Sequence, residues 1–309
     1  MSIKRPVTHL TIVALLAATV LLASGRADAG EEAVTAQNAG QTLNGRLTLA
    51  EGKGLGDGVV LITHGTLAHN GVEAIRGAQA ALQERGVNSL AITLSLGLDK
   101  RTGLYDCAVP HRHKHEDALD EIGVWLGWLK GRGAKNIVLM GHSRGGNQTA
   151  RFTAERPNGL VTRVVLLAPQ VWDAEARLTS YERAYGTPLQ PLLDRAQALV
   201  AAGKGGEMLK NTGFIYCPGA EVSAAAFVSY YQNDARMHTP ALIPKIAVPI
   251  LVIAASEDQV VKGLPEAVAS LVDGEKVAFI LVDGADHNFL DFYIEDVADA
   301  IVEFAFPGS

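Results

Sequence analysis

The stretch Val138–Phe152, "VLMGHSRGGNQTARF", runs from an apolar strand-like segment through Gly-His-Ser-Arg-Gly-Gly into a helical pattern. A Gly-x-Ser-x-Gly pentapeptide at a strand-to-helix junction places a serine hydroxyl on a sharp turn, exposed above the strand end. So short a motif acquires meaning only from its surroundings. The question for the rest of the chain is whether an acid, a base and oxyanion donors stand where Ser143 needs them.

On either side of this segment, apolar runs alternate with helical patterns. Gly58–Gly65 ("GVVLITHG"), Val87–Gly97, Asn136–Ser143, Thr162–Pro169, Val248–Asp258 and Lys276–His287 read as strands. Val72–Gly86, Glu116–Gly133, Arg144–Arg156 and Phe289–Phe306 read as helices. The second of these is acidic at its start and basic at its end, as the helix dipole favours. Strands apolar on both faces and separated by helices specify a parallel sheet covered on both sides. One doubly wound domain therefore accounts for Arg46 to Phe306, after a polar segment from Gly30 to about Asn44. Between Pro169 and Val248 no core strand is evident. Helical patterns at Ala174–Tyr185, Leu189–Ala202 and Ala224–Arg236 predict a helical insertion, about 170–245, covering one end of the sheet.

Ligands of open α/β sheets bind beyond the carboxyl ends of the strands, so the polar residues there are read in order. They are His64-Gly65-Thr66, then Ser143, Glu257-Asp258 and Asp286-His287. Serine, acid and histidine thus follow one another, each just past a strand. A serine hydroxyl becomes nucleophilic when an imidazole can take its proton. His287 is the expected base, and Asp258 the group that fixes its tautomer and stabilises the imidazolium. Glu257 and Asp173 remain alternative acids. Gly141 and Gly145 allow strand and helix to close around the serine, and Gly146 extends that allowance. The backbone N–H groups of Thr66 and Arg144 are the expected oxyanion hole, worth roughly 3–4 kcal/mol each in a transition state.

"GHSRGG", "HGT", "SEDQVV" and "DGADHNF", in this order, resemble the α/β-hydrolase superfamily, particularly its esterase, lipase and peptidase-like members with a helical cap. The resemblance spans nearly all of residues 30–309 and implies an eight-stranded, mostly parallel sheet with Ser143, Asp258 and His287 in the roles above. The expected activity is cleavage of a small-molecule carboxylic ester through an acyl-enzyme on Ser143, with no metal or organic cofactor. Amide or peptide hydrolysis, thioester hydrolysis and acyl transfer would use the same residues. A non-catalytic binding protein that kept the fold is the reading from another class. Arg144 and Asn147-Gln148 depart from the commoner family pattern. An arginine beside the nucleophile would either reach a substrate carboxylate or pair with an acid of the protein, and the second is the expectation, since such pairs are common.

The remaining features bound these readings. Basic residues are scattered and the net charge is −6, which argues against a nucleic-acid or anionic-lipid partner. Lys4 and Arg5 precede an uncharged apolar run, Leu10–Ala23, and "ADA" at Ala27–Ala29, the pattern of a secretory signal peptide cut after Ala29. The run falls short of the ~20 residues of a spanning helix, and no cysteine follows it to carry a lipid. The expectation is an exported, periplasmic or secreted protein without a stable membrane anchor. Export would let the two cysteines, Cys107 and Cys217, form a disulfide, both lying in segments that read as loops. "HRHKH" (His111–His115) puts His111 and His115 at i, i+4. With no third ligand evident, it reads as a polar, solvent-facing helix start rather than a metal site. The sequon Asn147-Gln148-Thr149 falls on the helix after the turn, where a glycan would clash. Trp172, Tyr230 and Tyr231 are read equally as substrate pocket or as core of the insertion.

Overall fold

The computed structural model describes residues 30–307; the expected signal peptide lies outside the described residues. The strands are β1 (Gly30–Asn38), β2 (Gln41–Leu49), β3 (Val59–Thr63), β4 (Asn88–Thr93), β5 (Ile137–His142), β6 (Val161–Leu167), β7 (Met208–Phe214), β8 (Cys217–Ser223), β9 (Ile250–Ala255) and β10 (Val277–Val282). The helices are α1 (Glu73–Glu84), α2 (Asp117–Gly131), α3 (Arg144–Glu155), α4 (Ala174–Tyr185), α5 (Leu189–Ala201), α6 (Ala224–Tyr231), α7 (Thr239–Leu242), α8 (Leu264–Val268) and α9 (Tyr293–Ala305).

Eight strands form one sheet in the order β1-β2-β4-β3-β5-β6-β9-β10. The pairs β1–β2 and β2–β4 are antiparallel and the remainder parallel. The central strands β3, β4, β5 and β9 are buried along their whole length. Burial on both faces is what their uninterrupted apolar runs require. Helices α1 and α9 pack on one face, where Ile75, Leu82, Val297 and Ile301 meet Ile62 and Met140. Helices α2 and α3 cover the other, where Trp125, Leu126 and Phe152 meet Leu61 and Leu139.

Four expectations need correction. The polar segment from Gly30 is a β-hairpin. Ala39 and Gly40 both take positive φ, 47° and 85°, and turn the chain back so that β2 joins the sheet edge. Only alternate residues of β1 such as Val34 and Ala36 are buried, so its hydrophobic signal is half that of a central strand.

The insertion between β6 and β9 is not purely helical. After α4 and α5 comes the two-stranded sheet β7–β8, and then α6. Asp173 N-caps α4 by accepting from the Ala176 N–H, and Gly186 ends it in the left-handed conformation. Cys217 opens β8 rather than lying in a loop, and it is disulfide-bonded to Cys107 with a Cα–Cα distance of 5.3 Å.

Nor do the histidines of "HRHKH" face solvent. His111, His113 and His115 are all buried, and α2 begins only at Asp117. His113 shares a hydrogen bond of 2.9 Å with the Tyr230 hydroxyl, and the His115 backbone N–H donates to Ser229 Oγ. This segment seats the insertion on the sheet. No helix among the described residues is long and apolar enough to cross a membrane.

Candidate active site

Ser143 follows β5 directly, with φ 58° and ψ −121°. A non-glycine residue occupies this region only when its surroundings impose it. Here they do. The Ser143 N–H donates to the Leu167 carbonyl, and the Ser143 carbonyl accepts from the N–H groups of Gly146 and Gln170. A Cβ at Gly141 would collide with the Gly145 carbonyl, and one at Gly145 with the carbonyls of His64 and Thr63. Strand and helix therefore approach as closely as the turn needs only because both positions are glycine.

His287 lies beyond β10 and Asp258 beyond β9. The His287 Nδ1–H donates to Asp258 Oδ2 at 2.7 Å. The other carboxylate oxygen accepts from the Val260 and Val261 N–H groups at 2.7 and 2.8 Å. Burial acts to raise the Asp258 pKa, but these hydrogen bonds outweigh it and hold the carboxyl below its ordinary range. The alternative acids are placed elsewhere: Glu257 is exposed, and Asp173 caps α4.

Ser143 and His287 line one cavity of about 410 Å³, together with Gly65, Thr66, His142 and Tyr216. No hydrogen bond joins Ser143 Oγ to the imidazole here; such bonds often tighten only when substrate binds. Among the described residues, neither the Thr66 nor the Arg144 backbone N–H is engaged in a backbone hydrogen bond.

Two further histidines hold this arrangement. His142, beside the serine, donates from Nε2 to the His287 carbonyl at 2.8 Å. Burial, with the neighbouring His287, depresses its pKa to about 4, so it stays neutral. His64 donates from Nδ1 to the Gly65 carbonyl and accepts at Nε2 from the Leu94 N–H. Its pKa is depressed to about 3, chiefly by burial and then by Arg101. That neutral ring fixes the loop carrying Thr66. The "HGT" and "GHS" motifs mark both histidines, but nothing in either motif distinguishes a positioning role from a chemical one.

Arg144 differs from expectation. It is 8% exposed, yet it makes no ion pair with any carboxylate of the described residues. Its Nε donates to Thr66 Oγ1 at 3.0 Å, one Nη lies 3.4 Å from His115 Nδ1, and the guanidinium sits 5.0 Å from the Tyr230 ring centroid. Tyr231 lines a second cavity beside the first, whereas Tyr230 packs against the buried histidines and Trp172 carries the Arg177 guanidinium on its ring face. Tyr216 was not singled out in the sequence, although it lines both cavities. It stands at the β7–β8 turn, where Ile215 and Tyr216 both take positive φ without the usual Asn-Gly signal.

A search of curated proteins finds no match to this chain. Among solved structures, Est1E from Butyrivibrio proteoclasticus with ferulic acid bound superposes with TM-score 0.62 at 20% identity, over 88% of this chain and 97% of that one. A monoacylglycerol lipase from Paleococcus ferrophilus gives TM-score 0.58 at 19% identity, over 85% and 98%. The Pyrococcus furiosus esterase Pf2001 gives 0.57 at 18% identity, over 89% of each. These likenesses concern the fold. The sequence profile of the alpha/beta hydrolase family matches residues 59–303, from β3 through most of α9, and the chain is a member of that family.

Proposed function

We propose that this protein is a serine hydrolase that cleaves carboxylic esters through an acyl-enzyme on Ser143. The observation that carries the reading is the strained Ser143 turn opening on the same cavity as the Asp258-oriented face of His287. In the first half-reaction Ser143 Oγ attacks the ester carbonyl and its proton passes to His287 Nε2. The oxyanion that forms is met by the Thr66 N–H, from the loop after β3, and by the Arg144 N–H at the start of α3, where the helix dipole adds to the stabilisation. Collapse expels the alcohol, which takes the proton from His287. Water then attacks the acyl-enzyme with His287 again as base, releasing the acid and restoring the serine. Esters are the first bond to test because the fold-sharing structures include a lipase and esterases; amides, thioesters and acyl transfer would engage the same atoms.

The test is fluorophosphonate labelling read by intact mass and peptide mapping, with Ser143→Ala in parallel. A single adduct on Ser143, absent from the variant, is expected. An unlabelled protein that is folded and hydrolyses no ester would overturn the reading.

We further propose export, with cleavage after Ala29, and a single catalytic domain carrying the insertion of about 170–245. The Cys107–Cys217 disulfide supports an oxidising compartment. N-terminal sequencing of the protein from the native cell envelope or medium tests this, and a mature chain still beginning at Met1 would refute it.

A further inference from the structure

The second cavity, about 210 Å³, adjoins the catalytic one and shares Thr66 and Tyr216 with it. Two arginines, Arg144 and Arg177, are among the residues that line it. A buried cation is normally neutralised, because removing it from water without a counter-charge is expensive. Neither arginine forms an ion pair with a carboxylate of the described residues. The ionisable groups that act most strongly on Arg144 are Tyr230, Arg177, Tyr216 and Tyr231, with His113 and His115 also within its field, and none of these is a carboxylate. Arg177 is thus a second positive charge with no acid to balance the pair.

Hydrogen bonding tells the same story. Arg144 uses Nε on Thr66 and one Nη on His115, leaving the other Nη without a hydrogen-bond partner among the described residues. Arg177 rests on the Trp172 ring, and its Nε is buried without a partner. His115 cannot serve as the counter-ion: its Nε2 is turned to Asn147 Oδ1, and burial together with Arg144 keeps it neutral. The walls are also fixed. Tyr231 and Tyr185 accept the N–H groups of Ile215 and Tyr216 through their hydroxyls, so those oxygens hold the hairpin turn.

We propose that this cavity binds a carboxylate carried by the substrate, held between Arg144 and Arg177. The preferred substrate is then an ester with a second, anionic end, on either its acyl or its alcohol half. This rests on the hydrolase reading of Ser143. Planar guanidinium groups suit a carboxylate because they offer paired N–H donors. The Arg144 Nε bond to Thr66 also links the anion to the loop that supplies an oxyanion donor, so seating the charged end would steady the reacting end.

Two probe pairs test it, one for each half: mono-4-nitrophenyl glutarate and 4-acetoxybenzoate, each against its methyl ester. With wild-type protein, kcat/KM for the acid of at least one pair exceeds that of its methyl ester by about tenfold or more. Arg177→Gln and Arg144→Gln remove that preference, whereas Arg144→Lys keeps part of it. Arg177 lies on the partly exposed helix α4, so its variant tests the idea even if Arg144→Gln fails to fold. Neutral esters hydrolysed as well as or better than the acids in both pairs would overturn the proposal.

Calorimetric titration of Ser143→Ala protein with the same four compounds reads the cavity independently of chemistry. Tighter binding of an acid, abolished by Arg177→Gln, supports the anion site even if Ser143 proves unreactive, in which case only the hydrolase reading falls. Equal binding of acid and methyl ester in both pairs, where Ser143 of the wild-type protein does label, removes this proposal alone.

Discussion

Asp258 Oδ2 lies 2.7 Å from His287 Nδ1, while the Val260 and Val261 N–H groups both hold Asp258 Oδ1. This arrangement determines what Asp258→Asn does. The amide oxygen must stay with the two backbone donors, so the amide NH2 faces His287 Nδ1. That nitrogen must then accept, and its proton moves to Nε2, the side meant to take a proton from Ser143. The expected result is a loss of about 10⁴-fold in kcat with a folded protein and little change in KM. A fall below tenfold, in steady-state assays with an ester that labels Ser143, would remove Asp258 from the proposed triad.

The six core strands, the turn at Ser143 and the places of Asp258 and His287 just past strand ends were legible because they are local. Apolar runs end in polar residues, and the sheet aligns those ends. What could not be read depends on distant partners. Edge strand β1 buries alternate residues only, and the β7–β8 hairpin includes Asn211, Gly213, Pro218 and Gly219, which locally favour turns. His113 looks solvent-facing until Tyr230, 117 positions away, becomes its partner. The missing acid beside Arg144 is likewise a tertiary fact. An arginine in sequence carries no mark of being left unpaired.

Gly145→Ala tests the elbow itself. The added Cβ would fall on the backbone carbonyls of Thr63 and His64, at and just past the end of β3. The chain must separate α3 from β3, and the Thr66 and Arg144 N–H groups move apart with them. The expected cost is about 1–3 kcal/mol of stability, together with a marked fall in the fluorophosphonate labelling rate. Unchanged labelling and an unchanged melting temperature would show that the close approach is not required.

The Cys107–Cys217 disulfide closes a loop with a sequence separation of 110. Chain entropy alone makes such a closure worth up to about 4–5 kcal/mol. Cys217 also directly follows Ile215 and Tyr216, the positive-φ turn that presents Tyr216 to both cavities. The double variant Cys107→Ala, Cys217→Ala should therefore melt about 10 °C lower. It should also show a raised KM with kcat less affected, because Tyr216 is wall rather than chemistry. Identical melting curves with and without reductant would contradict this.

Stability should fall steeply on mild acidification. His64, His111, His113, His115 and His142 are buried. Desolvation depresses their pKa values, to about 3 for His64 and His113 and about 4 for His111 and His142. The unfolded chain, with ordinary imidazoles near pKa 6.5, takes up these protons first. Each histidine's contribution is therefore complete above that pH and is lost as pH falls towards the folded values, on the order of 2 kcal/mol per ring by pH 5. Glu121 acts oppositely. Burial raises its pKa to about 7 against the bonds from Ser95, so acidification relieves a cost comparable to one histidine's. Five rings outweigh one carboxyl, and calorimetry should record a melting temperature lower at pH 5 than at pH 7 by more than about 10 °C. A flat profile across that interval would mean that these histidines are charged in the folded protein. The Tyr230–His113 contact that seats the insertion would then need a different explanation.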